Sequence, residues 1–197
     1  YGDDKVFAPG TVIISAAGEV TDVRRTVSPV LRNGVNSTLY YIDFSGDKLK
    51  TGGSALAQTL NRLGSEAPTV TDADKFAATF NAVQALVKRG ALMAAHDVAA
   101  GGLVTTLLEM TFANTNGGIQ FSTDGFVANG ENDLVKILFA ENPALVVQIA
   151  NNKCETAERT LREAGVKFFA IGTPINERAV MVNHQGSERM LGIDYLR

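Results

Sequence analysis

The sequence predicts an α/β (α+β) protein, a mixed β-sheet flanked by helices. Three observations predict it. Short apolar runs rich in β-branched residues alternate with helix-periodic segments along the 197 residues. Glycines and prolines punctuate these segments, and no internal repeat or low-complexity tract interrupts them. Hydrophobic residues make up 45% and charged residues 20%, a globular composition that excludes disorder and coiled coil. A chain of this length buries enough surface to need no staples.

Taken in order, Val12-Ile13-Ile14-Ser15-Ala16 follows the Pro9-Gly10 turn signal and reads as a buried strand. Thr38 to Phe44 is rich in β-branched and aromatic residues and reads as a second strand. Gly46 to Gly53 is polar loop. Ser54 can cap a helix running to about Leu63, with Leu56, Leu60 and Leu63 on one face. Thr71-Asp72-Ala73-Asp74 is a capping box with Asp in place of Glu. The helix that follows sets Phe76, Phe80, Val83 and Val87 on one stripe and stops at Gly90. Ala91 to Ala95 is a short strand, and Leu103 to Phe112 a helix. Gly117-Gly118 turns the chain into a strand at Ile119 to Ser122. Leu134 to Phe139 reads as helix, Leu145 to Ile149 as strand, and Cys154 to Ala164 as a helix stopped by Gly165. Phe168 to Ile171 and Ala179 to Val182 complete six or seven strands and five helices. No domain boundary is read at the loop Gly64 to Val70, so residues 1–197 form one domain.

Net charge is −3 with pI ≈ 5.4, so no basic excess exists to neutralise a nucleic-acid backbone. No apolar run is long enough to span a bilayer. The one cysteine, Cys154, has no internal disulfide partner, which fits a reducing cytoplasm. The chain opens at Tyr1, its first methionine is Met93, and no signal-peptide pattern opens it. The expectation is a piece of something longer.

The chemistry concentrates at Ala95-His96-Asp97-Val98-Ala99-Ala100-Gly101-Gly102-Leu103. Two titratable groups stand at a strand end, and a Gly-Gly step opens a helix. A helix start has free N–H groups and a positive dipole end, and glycine lets an anion approach the backbone. Asp97 would repel phosphate but could hold Mg²⁺ that bridges phosphate oxygens. The other reading is a capping Asp and a tight turn. Thr51-Gly52-Gly53-Ser54-Ala55-Leu56 is a second Gly-Gly before a helix, without the Lys of a Walker A loop. It reads as a second phosphate-contacting turn or as an ordinary N-cap. His96 is of a type that serves as acid or base, or pairs structurally with Asp97. Glu109 shares a polar stripe with Thr105 and Thr106 on an otherwise apolar helix, and faces a site or a partner surface. His184, in an Asn-His-Gln-Gly turn, reads as an exposed side chain. Arg24 and Arg25 could meet an anion or stand in solvent. Cys154 has no glycine elbow or matching His and is not read as a nucleophile. One Cys and two His exclude a zinc cluster.

His96-Asp97-Val98-Ala99-Ala100-Gly101-Gly102-Leu103, followed by Thr106-Leu107-Leu108-Glu109-Met110, resembles the His-Asp-x-x-x-Gly-Gly-Leu motif of the phosphoribosylformylglycinamidine synthase family. Gly52-Gly53-Ser54-Ala55-Leu56-Ala57-Gln58 and Asp22-Val23-Arg24-Arg25-Thr26-Val27-Ser28-Pro29 resemble two further motifs of that family, in the family's order. The resemblance implies the C-terminal domain type shared with aminoimidazole ribonucleotide synthetase (AIRS), in the second of the two copies the large synthase carries. Val98-Ala99-Ala100, where Arg-Ser-Asp is usual in that copy, leans towards the first. The family converts formylglycinamide ribonucleotide, glutamine and ATP into formylglycinamidine ribonucleotide, glutamate, ADP and phosphate. By resemblance, Asp97 is a Mg²⁺ ligand, His96 supports it, and Gly52, Gly53, Ser54, Gly101 and Gly102 lie near the phosphates of ATP or a structural ADP. No catalytic residue is carried over. The partners implied are the N-terminal AIRS-like and glutaminase domains of the same polypeptide, without which this piece is inactive. The alternatives are another enzyme of the superfamily, such as a selenophosphate synthetase or thiamine monophosphate kinase relative, and a non-catalytic packing module.

Overall fold

A computed structural model describes residues 13–20 and 22–196. Among the described residues, seven strands form one sheet: β1 (Ser37–Asp43), β2 (Leu92–Val98), β3 (Gly118–Ser122), β4 (Ala144–Ala150), β5 (Lys167–Ile175), β6 (Ala179–His184) and β7 (Ser187–Gly192). Their order across the sheet is β2-β4-β1-β5-β3-β6-β7. Every pairing is antiparallel except β3 with β6. The helices are α1 (Ala55–Thr59), α2 (Ala73–Lys88), α3 (Gly102–Phe112), α4 (Asp124–Ala128), α5 (Leu134–Phe139), α6 (Asn151–Glu163) and α7 (Ile193–Leu196). The mixed sheet with flanking helices is the predicted fold class.

The helices divide between the two faces, and β1 shows why. Its side chains alternate between two cores. Leu39 and Tyr41 join Leu103, Leu107 and Met110 of α3, Phe126 of α4, Ile137 of α5 and Ile193 of α7. Tyr40 and Ile42 join Ala82, Val83 and Leu86 of α2 with Ala157 and Leu161 of α6. A strand covered on both faces reads as a near-continuous apolar run, and Leu39 to Ile42 at the centre of β1 reads that way in sequence.

Several elements differ from the sequence expectation. The proposed first strand fails: Ile13 and Ile14 are 87% and 86% exposed and join no sheet. Its Pro9-Gly10 turn and Val12 lie outside the described residues. Ser54 does cap α1, accepting from Ala57 N, but the helix ends at Thr59. Asn61 adopts φ 51°, a left-handed conformation that breaks the helix, and Leu60 and Leu63 stay exposed. On α2 the buried face is Thr79, Ala82, Val83 and Leu86, with Phe76 and Phe80 partly in solvent. Small side chains face the sheet there, and the Phe76 ring meets Phe44 at 5.4 Å instead. β2 runs on through His96 and Asp97 to Val98, three residues past its predicted end. The short α4 and α7 and the polar edge strand β7 were not predicted, because their sequences carry no apolar period.

Candidate functional site

β2 is an edge strand that pairs with β4 alone within the sheet, so its outer side carries no strand partner. His96 and Asp97 sit near its C-terminal end, opposite Val146 and Leu145. The His96 side chain is only 18% exposed, that of Asp97 74%. His96 Nε2 lies 3.1 Å from Glu109 Oε2 on α3. His96 Nδ1 lies 2.9 Å from the Asp97 carbonyl and 3.3 Å from Asp97 Oδ1. An acceptor therefore faces each ring nitrogen. Thr106 Oγ1 donates to the same Asp97 carbonyl from α3. Glu109 thus pairs within the chain, with about half of its side chain still exposed on its polar stripe.

Beyond Val98 the chain turns into α3 through two glycines, Gly101 at φ 88° and Gly102 at φ 73°. Both conformations favour glycine. A Cβ on Gly102 would stand 2.7 Å from Leu138 O and from Phe139 backbone atoms, so the start of α3 packs against the end of α5. The second glycine turn closes on itself. Gly52 N donates to Glu66 O, Gly53 N to Leu63 O and Ser54 N to Thr51 O. Ser54 is 1% exposed, and its hydroxyl donates to Thr51 O while accepting from Ala57 N. Gly102 N donates to Ala99 O.

One side chain brings the two turns together. Glu141 Oε1 accepts from Ala55 N and from Gly101 N, both at 2.8 Å. Its neighbour Asn142 is fully buried, accepting from Lys50 N and donating to Lys48 O and Ser45 Oγ. Sequence reasoning missed both residues. The only local signal is their place between the end of α5 and Pro143, where an acid and an amide have no helix of their own to serve.

Glu141 and Asp97 line one cleft of about 310 Å³ with Phe44, Phe76, Pro143 and Leu145. Among the described residues no three His, Cys, Asp or Glu cluster as a metal cage. One or two carboxylates with phosphate and water completing the shell suit Mg²⁺, which sheds water reluctantly. The exposed Asp97 carboxylate therefore fits that ion. A separate cavity of about 330 Å³, lined by Tyr41, Asp43, Lys48, Phe126, Lys167 and Phe169 among others, shares no residue with this cleft.

The remaining candidates lie elsewhere. Arg24 pairs with Asp22 at 2.9 Å, and this bond holds the Asp22 carboxyl below its usual range. Arg25 pairs with Asp22 and donates to Lys88 O. Cys154 is half-buried, and its Sγ faces the Ile149 and Ala150 carbonyls. His184 is not simply exposed: its Nδ1 lies 2.9 Å from the hydroxyl of fully buried Thr123.

The family profile described as "AIR synthase related protein, C-terminal domain" matches residues 38–184. The chain is 33% identical over 183 residues to "Probable phosphoribosylformylglycinamidine synthase, chloroplastic/mitochondrial" of Arabidopsis thaliana, covering 92% of the chain and 13% of that protein. It is 35% identical over 172 residues to the human phosphoribosylformylglycinamidine synthase, covering 87% of the chain and 12% of that protein. It thus spans about an eighth of the curated relatives it matches. In fold it is similar to T. maritima PurL complexed with FGAR (TM-score 0.68, 17% identity, 88% of the chain and 30% of PurL). E. coli HypE, a hydrogenase maturation protein, shares the fold at TM-score 0.54 and 19% identity, over 85% of the chain and 52% of HypE. Among the described residues no helix is long and apolar enough to cross a membrane.

Proposed function

Because this chain belongs to the AIR synthase related protein, C-terminal domain family, we propose that residues 1–197 are one such domain of a phosphoribosylformylglycinamidine synthase. The observation that carries this reading is the 33–35% identity to two curated synthases along most of the chain. The full-length protein would convert formylglycinamide ribonucleotide to formylglycinamidine ribonucleotide with ATP and glutamine, in the cytoplasm. Its N-terminal AIRS-like and glutaminase domains would supply what this domain lacks, and the domain alone would be inactive.

Within that reading, this domain serves a nucleotide site that is live or holds a structural ADP. Asp97 is the Mg²⁺ ligand, supported by its exposed carboxylate at the mouth of the cleft. Mg²⁺, when bound, screens phosphate charge. His96 braces the Asp97 backbone from behind, with Glu109 behind it in turn. Gly52, Gly53, Ser54, Gly101 and Gly102 would contribute to the phosphate site through the shape of the two turns, since their N–H groups and the Ser54 hydroxyl bond within the chain. T. maritima PurL, of the same fold, has been described in complex with ATP and with ADP, which supports a nucleotide as the ligand class.

The test is direct. The full-length gene product, given formylglycinamide ribonucleotide, glutamine and ATP, should release formylglycinamidine ribonucleotide and ADP in equal amounts. ADP release that does not depend on formylglycinamide ribonucleotide would refute the assignment.

A further inference from the structure

We infer that Glu141 is a positioning residue for the nucleotide site, setting the spacing between its two glycine turns. The inference rests on the nucleotide reading above. Ala55 is the first residue of α1 and Gly101 the N-cap of α3, so each carries an N–H that its own helix cannot satisfy. These two donors lie 86 and 40 residues from Glu141 in the chain, yet both meet one carboxylate oxygen at 2.8 Å. The other N–H groups of the turns close on local carbonyls: Gly53 on Leu63, Ser54 on Thr51 and Gly102 on Ala99. Among the described residues, the hydrogen bonds that join one turn to the other therefore run through Glu141.

The carboxylate is itself held. Asn142 is fully buried and fastens the loop leading to the Ser54 turn through Lys48 and Lys50. Gly102 presses on the Leu138 and Phe139 backbone just before Glu141. Charge-assisted bonds to backbone N–H are the strong kind, so one side chain suffices to fix two turns. Asp97 lies four residues before Gly101 and shares the cleft with Glu141, so the same bond sets where Asp97 stands relative to Ser54. Both bonds of Glu141 Oε1 go to backbone N–H groups of the turns, so its positioning role runs through the turns.

The experiment compares the full-length wild type with Glu141→Ala, Glu141→Gln and Asp97→Ala, reading amide hydrogen exchange and calorimetric binding of Mg·ADP. Glu141→Ala should lose exchange protection at Ala55 and Gly101, leave the sheet amides protected, and weaken Mg·ADP by roughly tenfold or more. Glu141→Gln keeps an acceptor oxygen and should restore much of both. A general structural defect would instead lower protection across the sheet, and that result overturns the inference. So does Glu141→Ala with unchanged protection at the two amides, or with unchanged Mg·ADP affinity. Asp97→Ala should abolish binding while leaving both amides protected. Retained binding in that variant strikes at Asp97 as the Mg²⁺ ligand, whereas exposed amides in Glu141→Ala still uphold the link between the turns.

Discussion

His96 Nε2 stands 3.1 Å from Glu109 Oε2, tying the end of β2 to the middle of α3 directly behind Asp97. The Glu109 side chain is 48% exposed, so water screens the pair and its worth is about 0.5 kcal/mol. A double-mutant cycle of Glu109→Ala and His96→Ala should return a coupling of about that size by denaturant unfolding. Strictly additive losses would mean the two groups do not interact in solution.

The glycines of the two turns should respond very differently to a methyl group. At Gly102 a Cβ meets the Leu138 and Phe139 backbone at 2.7 Å, and the backbone is left-handed. Gly102→Ala should cost roughly 3 kcal/mol or more, because the clash is with backbone that cannot step aside. Gly53 has φ 75° but open space around it. Gly53→Ala should cost only about 1–2 kcal/mol of left-handed strain. Urea midpoints of the two variants check the ranking, and equal losses would refute it.

Arg178 fastens the far end of α3. Its Nη1 donates to Thr111 O at 2.9 Å and its Nε to Asp194 at 3.2 Å, with the side chain 16% exposed. Arg178→Ala should lower stability by about 2 kcal/mol, the worth of a charge-assisted bond to a helix C-terminus. Lys lacks the fork needed to serve both acceptors, so Arg178→Lys should recover less than half. Asp194 is 71% exposed, and Asp194→Asn should cost under about 0.5 kcal/mol. Thermal unfolding of the three variants separates these values.

Much of this fold was legible where burial dictates composition. Thr38 to Phe44 reads as a strand because both its faces are covered, and Leu134 to Phe139 matches α5 residue for residue. The failures share a cause. Ile13 and Ile14 are apolar but stand exposed with nothing to pack on, and Ser187–Gly192 is polar because it forms the sheet's edge. Local pattern cannot report a partner supplied by distant chain. The site divides in the same way. Asp97 and the glycine turns stand out in sequence because strand, Gly-Gly and helix follow one another. Glu141 does not, since its partners lie 40 and 86 residues away.

Alkaline pH should destabilise the protein through Tyr41. Burial among Phe126, Phe169 and the sheet pushes its phenol well above the usual range. The unfolded chain loses this proton from about pH 10. The folded chain keeps it, so stability is full below pH 10 and falls as pH rises beyond it. The slope from this one group is about 1.4 kcal/mol per pH unit. Tyr40, also raised by burial and hydrogen-bonded to Glu158, adds in the same direction. Tyr41→Phe should flatten part of that loss in denaturant titrations between pH 9 and about 11. An unchanged slope would contradict the assignment.

The account turns on Asp97 as the carboxylate that holds Mg²⁺ against a nucleotide's phosphates. Calorimetric titration of the full-length protein with Mg·ADP, beside its Asp97→Ala variant, tests this most directly. The account predicts saturable binding in the wild type, loss of that binding in the variant, and the same thermal unfolding profile for both without ligand. Equal affinity in the two proteins would contradict it.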